Sequence, residues 1–160
     1  MRNLLITAAA AALALTAGAA QAENVHVNPS NSFISRAVKV PAGSETLYVS
    51  GITPATVPGA PAATPFGDTK TQVASVLKQI GEILQGQGYG WEDVVMMRVL
   101  LVGDPANGGK MDFAGMMEGY TQFFGTKEQP NKPARVTAQV AALVAPGMLA
   151  EIEVQAVKKP

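Results

Sequence analysis

Pro133-Ala134-Arg135-Val136-Thr137-Ala138-Gln139-Val140, followed beyond a Pro146-Gly147 turn by Glu151-Ile152-Glu153-Val154, is the stretch that decides how this chain reads. Val136, Ala138, Val140 and Ala142 alternate with Arg135, Thr137, Gln139 and Ala141, the period-2 pattern of a strand with one buried face. Arg135, at the mouth of that strand, offers a rigid planar fork of donors that suits a carboxylate. Glu151 and Glu153 sit two residues apart and share one face of the last strand. Taken alone, such a pair is a solvated face and such an arginine a rim residue. A tight hairpin at Pro146-Gly147 would set Arg135 about 20 Å from Glu151, at about 3.3 Å per residue. For the two to share a site, either their strands are not hairpin partners or they meet across a subunit boundary.

Two helices lie upstream. After Asp68, apolar residues fall at Val73, Val76, Leu77, Ile80, Ile83 and Leu84; after Asp112 they fall at Phe113, Met116, Met117, Tyr120, Phe123 and Phe124. Both series make one apolar stripe at helical spacing, with the aspartates as N-caps and Gly86 and Gly88 ending the first helix. Strands are expected at 33–40, 46–50, 94–102, 135–143 and 149–157. The nearly continuous apolar run from Val94 to Val102 suits a central strand covered on both faces. The order β-β-α-β-α-β-β predicts a two-layer α+β domain with a mixed sheet and both helices on one face. The opposite face then needs cover, which self-association supplies. Arg98 points to that face, where an intersubunit ion pair is its default role.

Several function classes are excluded or disfavoured. The chain has no cysteine, so a disulfide framework, a thiolate metal site and a cysteine nucleophile are out. Its one histidine, His26, is expected in a frayed segment near the start of the fold, and no acidic cluster has metal-ligand spacing. Gly103–Lys110 misses the spacing of a phosphate loop, and Met111 stands where Ser or Thr would hold magnesium. Trp91, Met116 and Met117 read as packing residues. The segment from Ile52 to Pro65 carries four prolines and reads as a loop.

Arg2, an uncharged Ala/Leu-rich run and Ala20-Gln21-Ala22 read as a signal peptide over residues 1–22, which predicts a periplasmic or secreted protein. An uncleaved membrane anchor is the alternative. Removal of that segment leaves 138 of 160 residues, suited to one domain over 23–160, with 11 basic against 12 acidic side chains. No basic run exists to track a phosphate backbone, so nucleic acid is disfavoured as a partner.

The tail "PARVTAQVAALVAPGMLAEIEV" closely resembles the C-terminal signature of the RidA/YjgF family of small imine and enamine deaminases. "LYVSGITP", "GDTKTQVASVLKQIGEIL", "EDVVMMRVLLV" and "FAGMMEGYTQFF" extend the resemblance over essentially the whole of residues 23–160. It implies a chorismate-mutase-like fold, a homotrimer with sites between subunits, and no cofactor or metal. It further implies that Arg135 grips a substrate carboxylate and that Glu151 orients or activates the attacking water. Ser50, Gly51 and Thr137 map to the pocket wall. The implied reaction hydrolyses a carboxylate-bearing imine or enamine to a 2-oxo acid and ammonia. The chain departs from the family pattern at Ile34, Ile52 and Met117, where tyrosine, glutamine and asparagine are usual, so the pocket is expected to be more apolar. A non-enzymatic trimer binding a small carboxylate is the alternative, and a purely structural or chaperone-like assembly ranks last.

Overall fold

The structure, a computed structural model, describes residues 23–28 and 31–158; the expected signal peptide lies outside them. Six strands and two helices follow one another as β1 (Val25–Val27), β2 (Ala37–Lys39), β3 (Glu45–Ile52), α1 (Thr69–Gly86), β4 (Val94–Val102), α2 (Phe113–Tyr120), β5 (Ala134–Val140) and β6 (Ala150–Lys158). The main sheet has the order β3-β6-β4-β5, while β1 and β2 form a separate antiparallel ribbon.

This order follows from the two crossovers. β3 and β4 are each antiparallel to β6, hence parallel to each other, and β4 is parallel to β5. Parallel neighbours need a long crossover, and α1 and α2 provide one each. Both connections advance across the sheet in the same direction, so crossovers of one hand leave both helices on one face. β6 then fills the gap between β3 and β4. The last two strands are therefore not a hairpin: β5 takes the edge, and each pairs with β4.

The core lies between helices and sheet. Val73, Val76, Leu77, Ile80 and Leu84 of α1 meet Met97, Val99 and Leu101 of β4 and Ile152, Val154 and Ala156 of β6. Met116 and Tyr120 of α2 close one end of this core. Gly119 allows the helices to approach, since a Cβ there would come within 2.8 Å of Val73 Cγ1. The expected caps are present: Asp68 accepts from Thr71 N at 2.8 Å and Asp112 from Gly115 N at 2.9 Å.

Four expectations are corrected. Ile83 turns away from the core and is 37% exposed, because a stripe of four residues per two turns already fills the contact. α2 ends at Tyr120, and Phe123 and Phe124 carry its stripe onward from the turns that follow, where Trp91 packs on both rings at 5.2 Å. The strand expected over 33–40 contracts to β2 plus a bridge from Ser35 to Ala134. His26 is not frayed: β1 pairs with β2, and its ring Nδ1 lies 2.8 Å from Lys132 O, holding the ribbon to the segment before β5.

Candidate functional site

Sheet register decides which side chains can meet. Arg135 is paired with Met97, whose side chain is fully buried beneath the helices, so Arg135 and Thr137 project toward α2. Glu151 is paired with Leu100, on the alternate face of β4 that no helix covers. The five residues predicted for the site thus fall into two groups within one protomer.

The first group surrounds Arg135. Its guanidinium carbon lies 4.4 Å from the centroid of the Tyr120 ring and 6.0 Å from that of Phe113. Its terminal nitrogens lie 3.9 Å from Met116 Sδ and 3.3 Å from Met117 Sδ. Among the described residues no carboxylate comes within ion-pairing distance of it, since the two ion pairs there are Lys70–Glu118 and Arg98–Glu153. Burial pushes the guanidinium's pKa down from its ordinary value, opposed by the facing Tyr120, yet an arginine stays protonated. A half-buried cation stacked on an aromatic face and flanked by thioethers is held in place by polarizable contacts, with no carboxylate partner among the described residues.

Tyr120 supports this arrangement twice. Its ring carries the guanidinium, and its hydroxyl donates to Phe33 O at 3.1 Å, fixing the segment that forms the opposite wall. Burial pushes its phenol up to about 12, with Arg135 pulling it back in part. The result is a cleft of about 560 Å³ lined by Phe33, Ile34, Phe113, Met117, Thr121 and Arg135, among others. Thr137 lies on the same face as Arg135, with its hydroxyl buried and unpartnered among the described residues.

The second group lies on the bare face. Val49 pairs with Val154 and Ile52 with Ile152, so Ser50 and Gly51 together oppose Glu153 in a β-bulge. The bulge turns both residues toward the open side, and the Glu151 carboxylate lies in the space a Cβ on Gly51 would occupy. Ser50, Gly51 and Glu151 therefore form one cluster, with the carboxylate free of any cation among the described residues. Next to it Arg98, expected to pair across a subunit boundary, pairs with Glu153 of its own chain. Ile52 points the other way and packs against the core, so it does not line this cluster.

The predicted residues are thus brought together as Arg135 with Thr137, and as Ser50 with Gly51 and Glu151, but not all five in one protomer. What the pattern reading missed is the platform: Tyr120 beneath the arginine and the Phe33 and Phe113 walls. The helical spacing of Phe113, Met117 and Tyr120 was visible, but not which strand would lie beside it.

Two helices crossing one face of a four-stranded mixed sheet, with β6 inserted between parallel strands, define a chorismate-mutase-like α+β domain. The chain belongs to the family described as Endoribonuclease L-PSP, whose sequence profile matches residues 24–158, and its relatives are Rid/YjgF and RutC proteins. A RutC family protein of Pyrococcus horikoshii is 39% identical over 93 residues, covering 58% of this chain and 65%, just under two thirds, of its own. A Rid family protein of unknown function from Yersinia pestis superposes with a TM-score of 0.64 at 25% identity, over 84% of this chain and 98% of that one. TdcF of E. coli, solved with bound serine, gives a TM-score of 0.56 at 30% identity, over 74% of this chain and 84% of that one.

Proposed function

We propose that this chain is a hydrolase that converts small carboxylate-bearing imines or enamines to 2-oxo acids and ammonia, at sites completed by a second protomer of a homotrimer. The observation that carries this reading is Arg135: half-buried, stacked on Tyr120, open to a cleft, and without a counterion among the described residues. Such a cation is poised for an incoming carboxylate, which its fork can hold by two hydrogen bonds. The bound serine of TdcF, itself a small carboxylate, supports a ligand of this kind.

On this reading the reacting carbon lies between Arg135 of one protomer and the Ser50–Gly51–Glu151 cluster of the next. Protonation of an enamine at carbon gives the iminium. Glu151 accepts a proton from water as it adds to the C=N carbon, and the resulting carbinolamine collapses to a ketone and ammonia. General acid–base help of this kind typically contributes about 10²–10⁴-fold, and fixing the carboxylate adds orientation. The family's descriptive name invokes RNA cleavage, but 12 basic against 12 acidic residues provide no cationic track for a phosphate backbone. We also propose that the chain acts after export, on the strength of residues 1–22.

The test is ammonia release from enzymatically generated 2-imino acids by residues 23–160, with Arg135→Ala and Glu151→Gln alongside and oligomeric state measured for each. Both variants should lose turnover while assembling normally. The alternative, a binding trimer without turnover, is favoured by Ile34 standing where the family resemblance implies a tyrosine hydroxyl. It predicts that Arg135→Ala alone abolishes ligand affinity and that Glu151→Gln changes nothing.

A further inference from the structure

The cleft before Arg135 has apolar walls, and most of its polar groups are already committed. Ser32 Oγ donates to Ile34 O at 2.7 Å and accepts from Ile34 N at 3.1 Å. Thr121 Oγ1, at the C-terminal cap of α2, donates to Met117 O at 2.9 Å. Glu118 is paired with Lys70 at 2.8 Å. Beyond the Arg135 guanidinium and Asn31 at the exposed rim, what faces the cleft is apolar: Phe33, 62% exposed, Phe113, 46% exposed, and Met117, whose thioether already meets Arg135 at 3.3 Å. Exposed phenylalanines flanking a half-buried cation are apolar surface awaiting an occupant.

We infer that this site selects substrates with a large apolar side chain (branched aliphatic, thioether or aromatic) and rejects hydroxyl-bearing ones, with Met117 and Phe113 as the specificity-determining residues. The inference rests on the reading of Arg135 as carboxylate anchor. With the carboxylate on Arg135 and the reacting carbon turned toward the neighbouring protomer, the side chain lies along Met117 and Phe113. An apolar group there covers exposed phenylalanine, and the flexible thioether adapts to its shape. A hydroxyl in the same place loses its water and meets groups whose donors and acceptors are engaged elsewhere.

The experiment compares kcat/KM for 2-imino acids generated from leucine, methionine and phenylalanine with those from alanine and serine. In parallel, calorimetry compares the affinity of 4-methyl-2-oxopentanoate with that of hydroxypyruvate. The large apolar group should be favoured by about 10-fold or more, the discrimination typical of one or two methylenes in a fitted pocket. Met117→Asn, which restores a donor and an acceptor to the wall, should narrow that ratio by about 10-fold. Phe113→Ala, at an exposed position, should weaken the large substrates more than the small ones. If no imino acid is hydrolysed, the catalytic reading fails, and the affinity order of the two oxo acids still decides specificity. Equal or reversed preference, or no binding of either acid, overturns the inference.

Discussion

Arg135 and Glu151 stand on opposite faces of one sheet. Arg135 is in register with Met97 and Glu151 with Leu100, on strands flanking β4. Two strand spacings and three residues separate their Cα positions by roughly 14 Å, with the sheet itself between the side chains. No rotamer change joins them, so a site using both must draw them from different protomers.

Mixing therefore tests the arrangement. Arg135→Ala and Glu151→Gln, each inactive alone, should complement when unfolded and reassembled together. In a cyclic oligomer with one such site per interface, equal random mixing restores about one quarter of the sites. Ammonia release that stays at the background of the single variants would show that each site draws both residues from one chain.

Arg135 is a half-buried cation without a carboxylate partner among the described residues, and on the proposed reading it is kept for function at some cost to the fold. Replacing a half-buried, uncompensated cation by Leu removes its desolvation, so Arg135→Leu should leave the melting temperature unchanged or raise it by about 2–5 °C. Turnover or ligand affinity should fall by about 100-fold or more. Thermal unfolding and activity on one preparation check both halves.

At Gly51 a methyl group would displace the Glu151 carboxylate. Because that carboxylate ends a flexible side chain on an open face, Gly51→Ala should cost no more than about 1 kcal/mol of stability. Activity should drop about 10- to 100-fold, as expected of a misplaced catalytic group. Chemical denaturation alongside kinetics separates the effects.

Tyr120 predicts an alkaline limb of stability. Its phenol titrates near 10 in the unfolded chain and at about 12 in the fold, where burial disfavours the phenolate. A group whose folded pKa is raised contributes stability that is complete below about pH 10 and is lost as pH rises toward 12. Tyr120→Phe should cost about 1 kcal/mol at neutral pH, from the lost bond to Phe33 O. The gap between variant and parent should then close between pH 10 and 12. Denaturation midpoints across that range provide the check.

Gln72 is the buried polar anchor of the fold. Its amide donates to Gly67 O at 3.0 Å and Gly147 O at 2.9 Å and accepts from Leu149 N at 2.7 Å. This ties α1 to the turn that launches β6. Gln72→Leu strands those three backbone groups and should cost about 3 kcal/mol, readable in urea denaturation.

Local pattern in the chain was enough for the elements but not for their neighbours. The strand around Arg135, the stripe Val73–Leu84, the start of the stripe at Phe113 and the caps Asp68 and Asp112 are short-range signals, and the structure bears out those elements, but not the face of the strand: Val136 is 44% exposed on the uncovered side while Arg135 and Thr137 face the helices. Which strand lies beside which is not local. The insertion of β6 between β3 and β4 follows from where crossovers leave room, and Pro146-Gly147 looks the same in a hairpin or a longer return. For the same reason Tyr120 was legible as a core aromatic but not as the platform of Arg135, since β5 meets α2 only after the sheet closes. Gln72 lay hidden among apolar helix positions because its three partners are backbone atoms, which carry no side-chain signature.

The sidedness of the sheet also bears on when the protein can act. A single chain carries both halves of the proposed chemistry but points them in opposite directions, so on that reading it would stay dormant until a neighbour presented the missing half. On the proposed reading, activity should rise more steeply than linearly with concentration near the assembly threshold, and a chain in transit through a membrane would be silent. Association would then serve as the switch, with no separate inhibitor required.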